Sequence, residues 1–183
     1  MYFQGGEGVV TYSNGIPAIR CSAGFSAIHN ETLRGYLITS ARCLPSNTTE
    51  IYHAVWNSHQ EQFDYFGVLR DVSLNNVDYA MCYHHFFIDL FNFIGIQVPV
   101  GHEVCISSYD SHVKCGDVIG SSSEVRLRSL RPGVRYDVFY NMIQISIDGQ
   151  LSNRDIGGTA FSMEYDEIND VVHLLVLGIV TEV

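Results

Sequence analysis

Positive charge is scarce in this chain. Ten lysines and arginines stand against 20 aspartates and glutamates over 183 residues, a formal net charge of −10. Cations so few and so scattered make no basic stripe, which excludes a nucleic-acid backbone as partner and disfavours anionic membrane surfaces. Long apolar runs are missing too: Val171 to Val183 is interrupted by His173, Gly178 and Glu182 and is too short for a bilayer, so no membrane span is expected. There is no low-complexity tract and no repeat on the scale of about 20–50 residues. Only 16% of residues are charged, whereas 46% are apolar and 12% aromatic, enough to bury a real core and to exclude disorder. The length suits one ordinary domain or two small barrels sharing an interface. Met1 to Gly5 matches the remnant of a protease-cleavable tag and is set aside from the fold.

Helical periodicity is as scarce as positive charge. Gly35 to Thr39, Ile51 to Trp56, Val134 to Tyr140 and Met142 to Ile147 mix β-branched and aromatic residues at a period of two. Turn signals punctuate them at Ser13-Asn14-Gly15, His29-Asn30, Ser46-Asn47, Leu74-Asn75-Asn76, Arg131-Pro132-Gly133 and Asp148-Gly149. That rhythm predicts an all-β sandwich or barrel. A weak division near Phe93 to Gly101 separates an N-terminal barrel, 6–93, from a C-terminal one, 94–183. The aromatic run Phe86, Phe87, Phe91 and Phe93 suits packing between barrels better than a docking patch.

Five cysteines allow two disulfides and one remaining thiol. Two glycosylation sequons begin at Asn30 and Asn47, and together with the cysteines they favour an oxidising, secreted setting. Adjacent His84 and His85 on a strand would face opposite ways, and His102-Glu103 carries no ligand spacing, so neither a metal nor a cofactor is expected.

A series of blocks stands in fixed order: Arg20-Cys21-Ser22-Ala23-Gly24-Phe25, Leu37 to Cys43, Val77-Asp78-Tyr79-Ala80, Val104 to Ser108 with Cys115-Gly116, Asp155-Ile156-Gly157-Gly158 and Leu177 to Val180. The series resembles the chymotrypsin-like serine proteases, most nearly the streptogrisin and α-lytic branch. That branch reads C-S-x-G-F, L-T-A-G-H-C, D-Y-A, V-C-x-S-G with C-G downstream, and G-D-S-G-G. The resemblance runs from about Arg20 to Val183 and implies the trypsin-like fold, two six-stranded antiparallel β-barrels with the site in the cleft between them. It also implies disulfides Cys21–Cys43 and Cys105–Cys115, each contributing about 2–4 kcal/mol, and leaves Cys82 as a buried thiol. The family's last barrel strand and C-terminal helix have no counterpart before Val183. The N-terminal strand, Gly8 to Tyr12, is a candidate to cover the edge this would leave.

The departures bear on function. Arg42 stands at the family's histidine and Ile156 at its nucleophilic serine, and only the acid is retained, as Asp78. A sec-butyl side chain offers no lone pair for acyl transfer, and a guanidinium stays protonated above pH ~12 and accepts no proton. The backbone N–H groups of Arg154 and Ile156 are the expected remnant of an oxyanion hole. Arg42 and Asp78 are expected to form a partly buried ion pair with Ile156 against it. In the family an arginine often orients the aspartate of the serine loop; Ile106 stands in its place here, and Arg154 is the local substitute for pairing Asp155. The reading is a secreted pseudoprotease, monomeric, binding a protein or peptide ligand. The alternatives are a hydrolase with a displaced nucleophile, such as Ser152 or Thr159 with His173 or His53, and a structural extracellular protein.

Overall fold

The computed structural model describes residues 5–13, 15–29, 31–32, 34–45, 47–56, 63–74, 78–83, 98–129, 133–181 and 183. Twelve strands follow in chain order: β1 (Gly8–Ser13), β2 (Ile16–Ser22), β3 (Phe25–Ile28), β4 (Gly35–Thr39), β5 (Glu50–Ala54), β6 (Asp64–Ser73), β7 (Tyr79–Tyr83), β8 (Glu103–Ser108), β9 (His112–Arg128), β10 (Tyr136–Ile147), β11 (Thr159–Asp166) and β12 (Val171–Ile179). Two short 3-10 turns, Ala41–Cys43 and Asn153–Asp155, are the helical elements of the described residues. None of their helices is long and apolar enough to cross a membrane.

The strands form two antiparallel sheets, the first from β1–β7 and the second from β8–β12, in keeping with the all-β class the turn rhythm predicts. Among the described residues the strand count departs from six and six: the first sheet has seven strands, ordered β2-β1-β5-β6-β7-β4-β3, and the second has five, ordered β10-β9-β8-β11-β12. β1 pairs with β2 and β5, so the N-terminal strand belongs to the first sheet and does not cover the second, contrary to the expectation. Gly5, set aside with the tag remnant, is bonded into the fold: its carbonyl accepts from Ser107 Oγ at 2.8 Å. The boundary at residues 93 and 94, the aromatic run, Asn30, His84 and His85 lie outside the described residues.

Local sequence accounts for the hairpins. β1 turns into β2 at Gly15, whose φ of +78° is a conformation that only glycine adopts cheaply. The two segments read as Val134–Tyr140 and Met142–Ile147 are one strand, because the long β9 pairs with them throughout. Side chains alternate as a period of two requires: in β7, Ala80 and Cys82 are buried while Tyr79, Met81 and Tyr83 are half-buried.

Each sheet has its own core. Val9, Leu37, Ile51, Phe66 and Cys82 fill the first, and Val104, Ile106, Val118 and Ala160 the second. The disulfides join Cys21 to Cys43 and Cys105 to Cys115, as the resemblance implies. Cys82 is the free cysteine and is buried. Burial pushes its thiol up to about 12, which leaves almost no thiolate at neutral pH. Iodoacetamide is therefore expected to leave Cys82 unmodified in the folded protein and to alkylate it in denaturant, read by intact mass. Rapid native labelling would contradict this packing.

Candidate functional site

The site is assembled from the first sheet by the β4–β7 register. Thr39 lies opposite Ala80, so the residues after β4 come alongside the residue before β7, Asp78. Asp78 is only 4% exposed. Its Oδ1 accepts from the N–H of Ala41 at 2.8 Å and of Arg42 at 3.3 Å, and its Oδ2 accepts from the Ser40 hydroxyl. Ser40 also caps the 3-10 turn by accepting from the Arg42 N–H at 3.1 Å. Burial raises the Asp78 carboxyl above its ordinary value; the Ser40 hydroxyl, the two N–H groups and the Arg42 charge oppose that rise without cancelling it.

Arg42 itself is 8% exposed. Its Nη1 donates to the Arg128 carbonyl at the end of β9, at 3.1 Å. The expected fork between guanidinium and carboxylate is thus replaced: Asp78 takes a backbone N–H from Arg42, and the guanidinium reaches across to the second sheet.

The second sheet contributes the loop between β10 and β11. Ser152 caps the turn Asn153–Asp155, with its hydroxyl accepting from the Arg154 N–H at 3.0 Å and the Asp155 carboxylate accepting from the Ser152 N–H at 2.8 Å. The Arg154 N–H, one of the two expected oxyanion donors, is thus directed to the cap. Ile156 follows the turn and packs on the first core beside Cys21 and Cys43. Its carbonyl accepts from the Ser22 N–H at 2.9 Å and lies 3.4 Å from the disulfide sulfur of Cys43. The positions of Arg42, Asp78 and Ile156 are therefore brought to one junction. Gly157, at φ +89°, makes the close approach possible, since a Cβ there would fall 2.3 Å from the Ser22 carbonyl oxygen and 2.4 Å from Thr39 Oγ1.

Asp155 is fully buried without the cation expected beside it. Its Oδ1 accepts from the N–H groups of Asp110 and Ser111, and its Oδ2 from the Ser111 hydroxyl at 2.7 Å and the Ser152 N–H. Arg154 points instead to Asp110, with Nη1 3.5 Å from Oδ1. Neutral donors replace the guanidinium. Burial works against ionisation of Asp155, but the bonds from Ser152, Ser111 and Ser108 outweigh it and hold the carboxyl below its ordinary value of 3.8.

Ser22 was not singled out in the sequence beyond its place in a motif, yet it joins the parts. Its hydroxyl donates to the Arg154 carbonyl and accepts from the Tyr109 N–H, each at 2.7 Å, and its carbonyl accepts from Thr39 Oγ1 at 2.8 Å. Thr159 adds a second link, donating to the Gly24 carbonyl at 2.7 Å.

The displaced-nucleophile alternatives are separated. The Ser152 hydroxyl donates to Asp110 Oδ2, Thr159 donates to Gly24, His53 lies 2.9 Å from Glu7 Oε2, and His173 faces Asp166 at 3.7 Å. One imidazole does meet a hydroxyl, His102 Nε2 at 2.8 Å from Ser162 Oγ, but Ser162 is 2% exposed, which denies a substrate access. Glu103 lies near Cys105 and Cys115, whose sulfurs are joined in the disulfide and offer no thiolate to a metal. Asn47 is exposed in a turn. A cavity of about 680 Å³ opens beside Asp78, lined by Phe25, Ile38 and Tyr79 from the first sheet and by β9, β10 and β12 from the second.

No protein-family model matches the chain, and no curated protein matches it in sequence. Solved structures do. An α-lytic protease homologue, N4, superposes with a TM-score of 0.58 at 19% identity over 87% of this chain and 79% of its own. The Nocardiopsis protease gives 0.59 at 16% identity over 96% and 92%. A glutamic-acid-specific serine protease gives 0.58 at 22% identity over 86% and 79%. At these identities the likeness shows the fold, which is the trypsin-like protease fold.

The Asp155 geometry makes a prediction. A depressed carboxyl stabilises the fold above the unfolded value of 3.8, and that contribution is lost as pH falls through the lower folded value. Asp155→Asn is expected to lower stability at pH 7 by about 2–4 kcal/mol and to flatten the acid limb of a denaturation-midpoint-versus-pH curve. A variant retaining both the stability and the acid limb would remove Asp155 from this role.

Proposed function

We propose that the chain is a secreted, non-catalytic protein of serine-protease fold that holds a protein or peptide ligand in the cleft between its sheets. The observation that carries this reading is the occupancy of the catalytic junction. Among the described residues a hydroxyl and two backbone N–H groups, and no imidazole, meet Asp78, while the side chain at the expected position of attack is the sec-butyl group of Ile156, packed on the first core. Acyl transfer needs a nucleophile and a base that accepts its proton, and removal of either abolishes most of the rate. The cap on the Arg154 N–H supports the same reading, since that donor is turned to Ser152.

The two disulfides and the exposed sequon at Asn47 favour an oxidising compartment. The cavity beside Asp78 and the net charge of −10 favour an apolar or basic ligand, because like charge opposes an acidic one. A monomer with this cleft free is the form proposed.

A fluorophosphonate probe tests the non-catalytic part. The folded protein is expected to remain at its unmodified intact mass after prolonged incubation, with a trypsin-fold protease labelled alongside it. A phosphonylated serine, located by peptide mapping, would overturn the reading and identify the displaced nucleophile.

A further inference from the structure

The second sheet presents two unguarded edges to one cavity. In the order β10-β9-β8-β11-β12, β10 is paired with β9 alone and β12 with β11 alone, among the described residues. Unpaired N–H and C=O groups along such edges are usually protected by outward lysines, prolines or other charges. β12, Val-Val-His-Leu-Leu-Val-Leu-Gly-Ile, has no proline and no formal charge, and the one charged residue of β10, Asp137, is fully buried. Both strands line the cavity of about 680 Å³, β10 through Met142 and Ile145 and β12 through Leu177 and Gly178, with Ile106 between them.

We propose that the gap between β10 and β12 accepts one extended, uncharged apolar segment of a partner protein as an added strand. This rests on the binding role proposed above and specifies its mode. Main-chain hydrogen bonds to either edge supply affinity, and the cavity takes alternate side chains of the incoming strand. A half-open cleft of about 680 Å³ is the size for a single extended backbone with its side chains and too small for a folded domain. Asp78 is the only charged side chain in the lining among the described residues. Its carboxylate, with the overall charge of −10, rejects an acidic segment. The mostly apolar lining favours uncharged side chains, because a charge buried there would lose its hydration.

Two glycines make the proposal testable without disturbing the fold. A Cβ at Gly178 meets nothing within 4 Å, and at Gly120, also in the lining, the nearest atom is Gln144 Oε1 at 3.9 Å. Gly178→Leu and Gly120→Leu each place a side chain into open space. The probe is a fluorescein-labelled peptide of about ten residues alternating valine and threonine, a length that spans roughly 33 Å when extended. Its counterpart carries glutamate in place of every second valine. Polarisation is expected to report binding of the neutral peptide, and hydrogen exchange to slow along 136–147 and 171–179. Each leucine variant is expected to weaken that binding about tenfold or more at an unchanged melting temperature, and the acidic peptide to bind about tenfold more weakly.

Absence of binding, or binding indifferent to both leucine variants, would overturn the proposal. So would edge amides already protected in the isolated monomer, meaning the chain fills its own groove, or a peptide-free dimer with β12 protected, meaning a second copy does. Peptide binding indifferent to the leucines defeats the groove and leaves cleft binding intact. Phosphonylation of a serine defeats the non-catalytic reading and leaves the strand result standing.

Discussion

Ser22 holds the junction on which the site depends. Its N–H, carbonyl and hydroxyl bond to Ile156, Thr39, Arg154 and Tyr109, so one buried residue of β2 ties together β4, the segment after β8 and the loop before β11. A single hydrogen bond contributes only about 1 kcal/mol net, but leaving a buried polar group unpaired costs about 1–3. The loop carrying Ile156 has correspondingly few alternatives. Asp155 fixes its other side with neutral donors, and Gly157 lets the backbone pass within reach of Ser22. The loop is thus held at this junction by backbone groups and neutral side-chain donors.

Asp78 and Asp155 illustrate how environment sets opposite behaviour in two buried carboxyls. Asp155 is surrounded by enough donors to favour its anion, and it stabilises the fold above the acid range. Asp78 has fewer effective donors against its burial, so its proton is held more tightly than usual. Its ionised form costs stability at neutral pH, a cost relieved as pH falls through the raised folded value. Retaining such a residue is explained by architecture: its carboxylate organises the turn Ala41–Cys43, which in turn aims Arg42 at the second sheet.

Much of the fold was legible because it is local. The glycine at the β1–β2 turn, the alternation in β4, β5 and β7 and the cysteine pairs follow from neighbouring residues or from motif order. The rest depends on chain segments far apart. The Ser40 hydroxyl on Asp78, the Arg128 carbonyl on Arg42 and the Ser152 cap on the Arg154 N–H each require packing that no periodicity encodes. The division into seven and five strands among the described residues is of the same kind, since β1 joins the first sheet by pairing with β5 and carries β2 with it, a choice made by tertiary contact.

The non-catalytic reading proposed for this molecule holds that no proton transfer takes place at its junction, and turnover is the direct measure of that. A complex library of proteome-derived peptides, incubated with the protein for many hours and read by mass spectrometry, gives the answer without presuming a specificity. The account predicts a pattern of peptide termini matching the buffer control. New termini sharing a residue preference, lost when Asp78 is changed to asparagine, would contradict it.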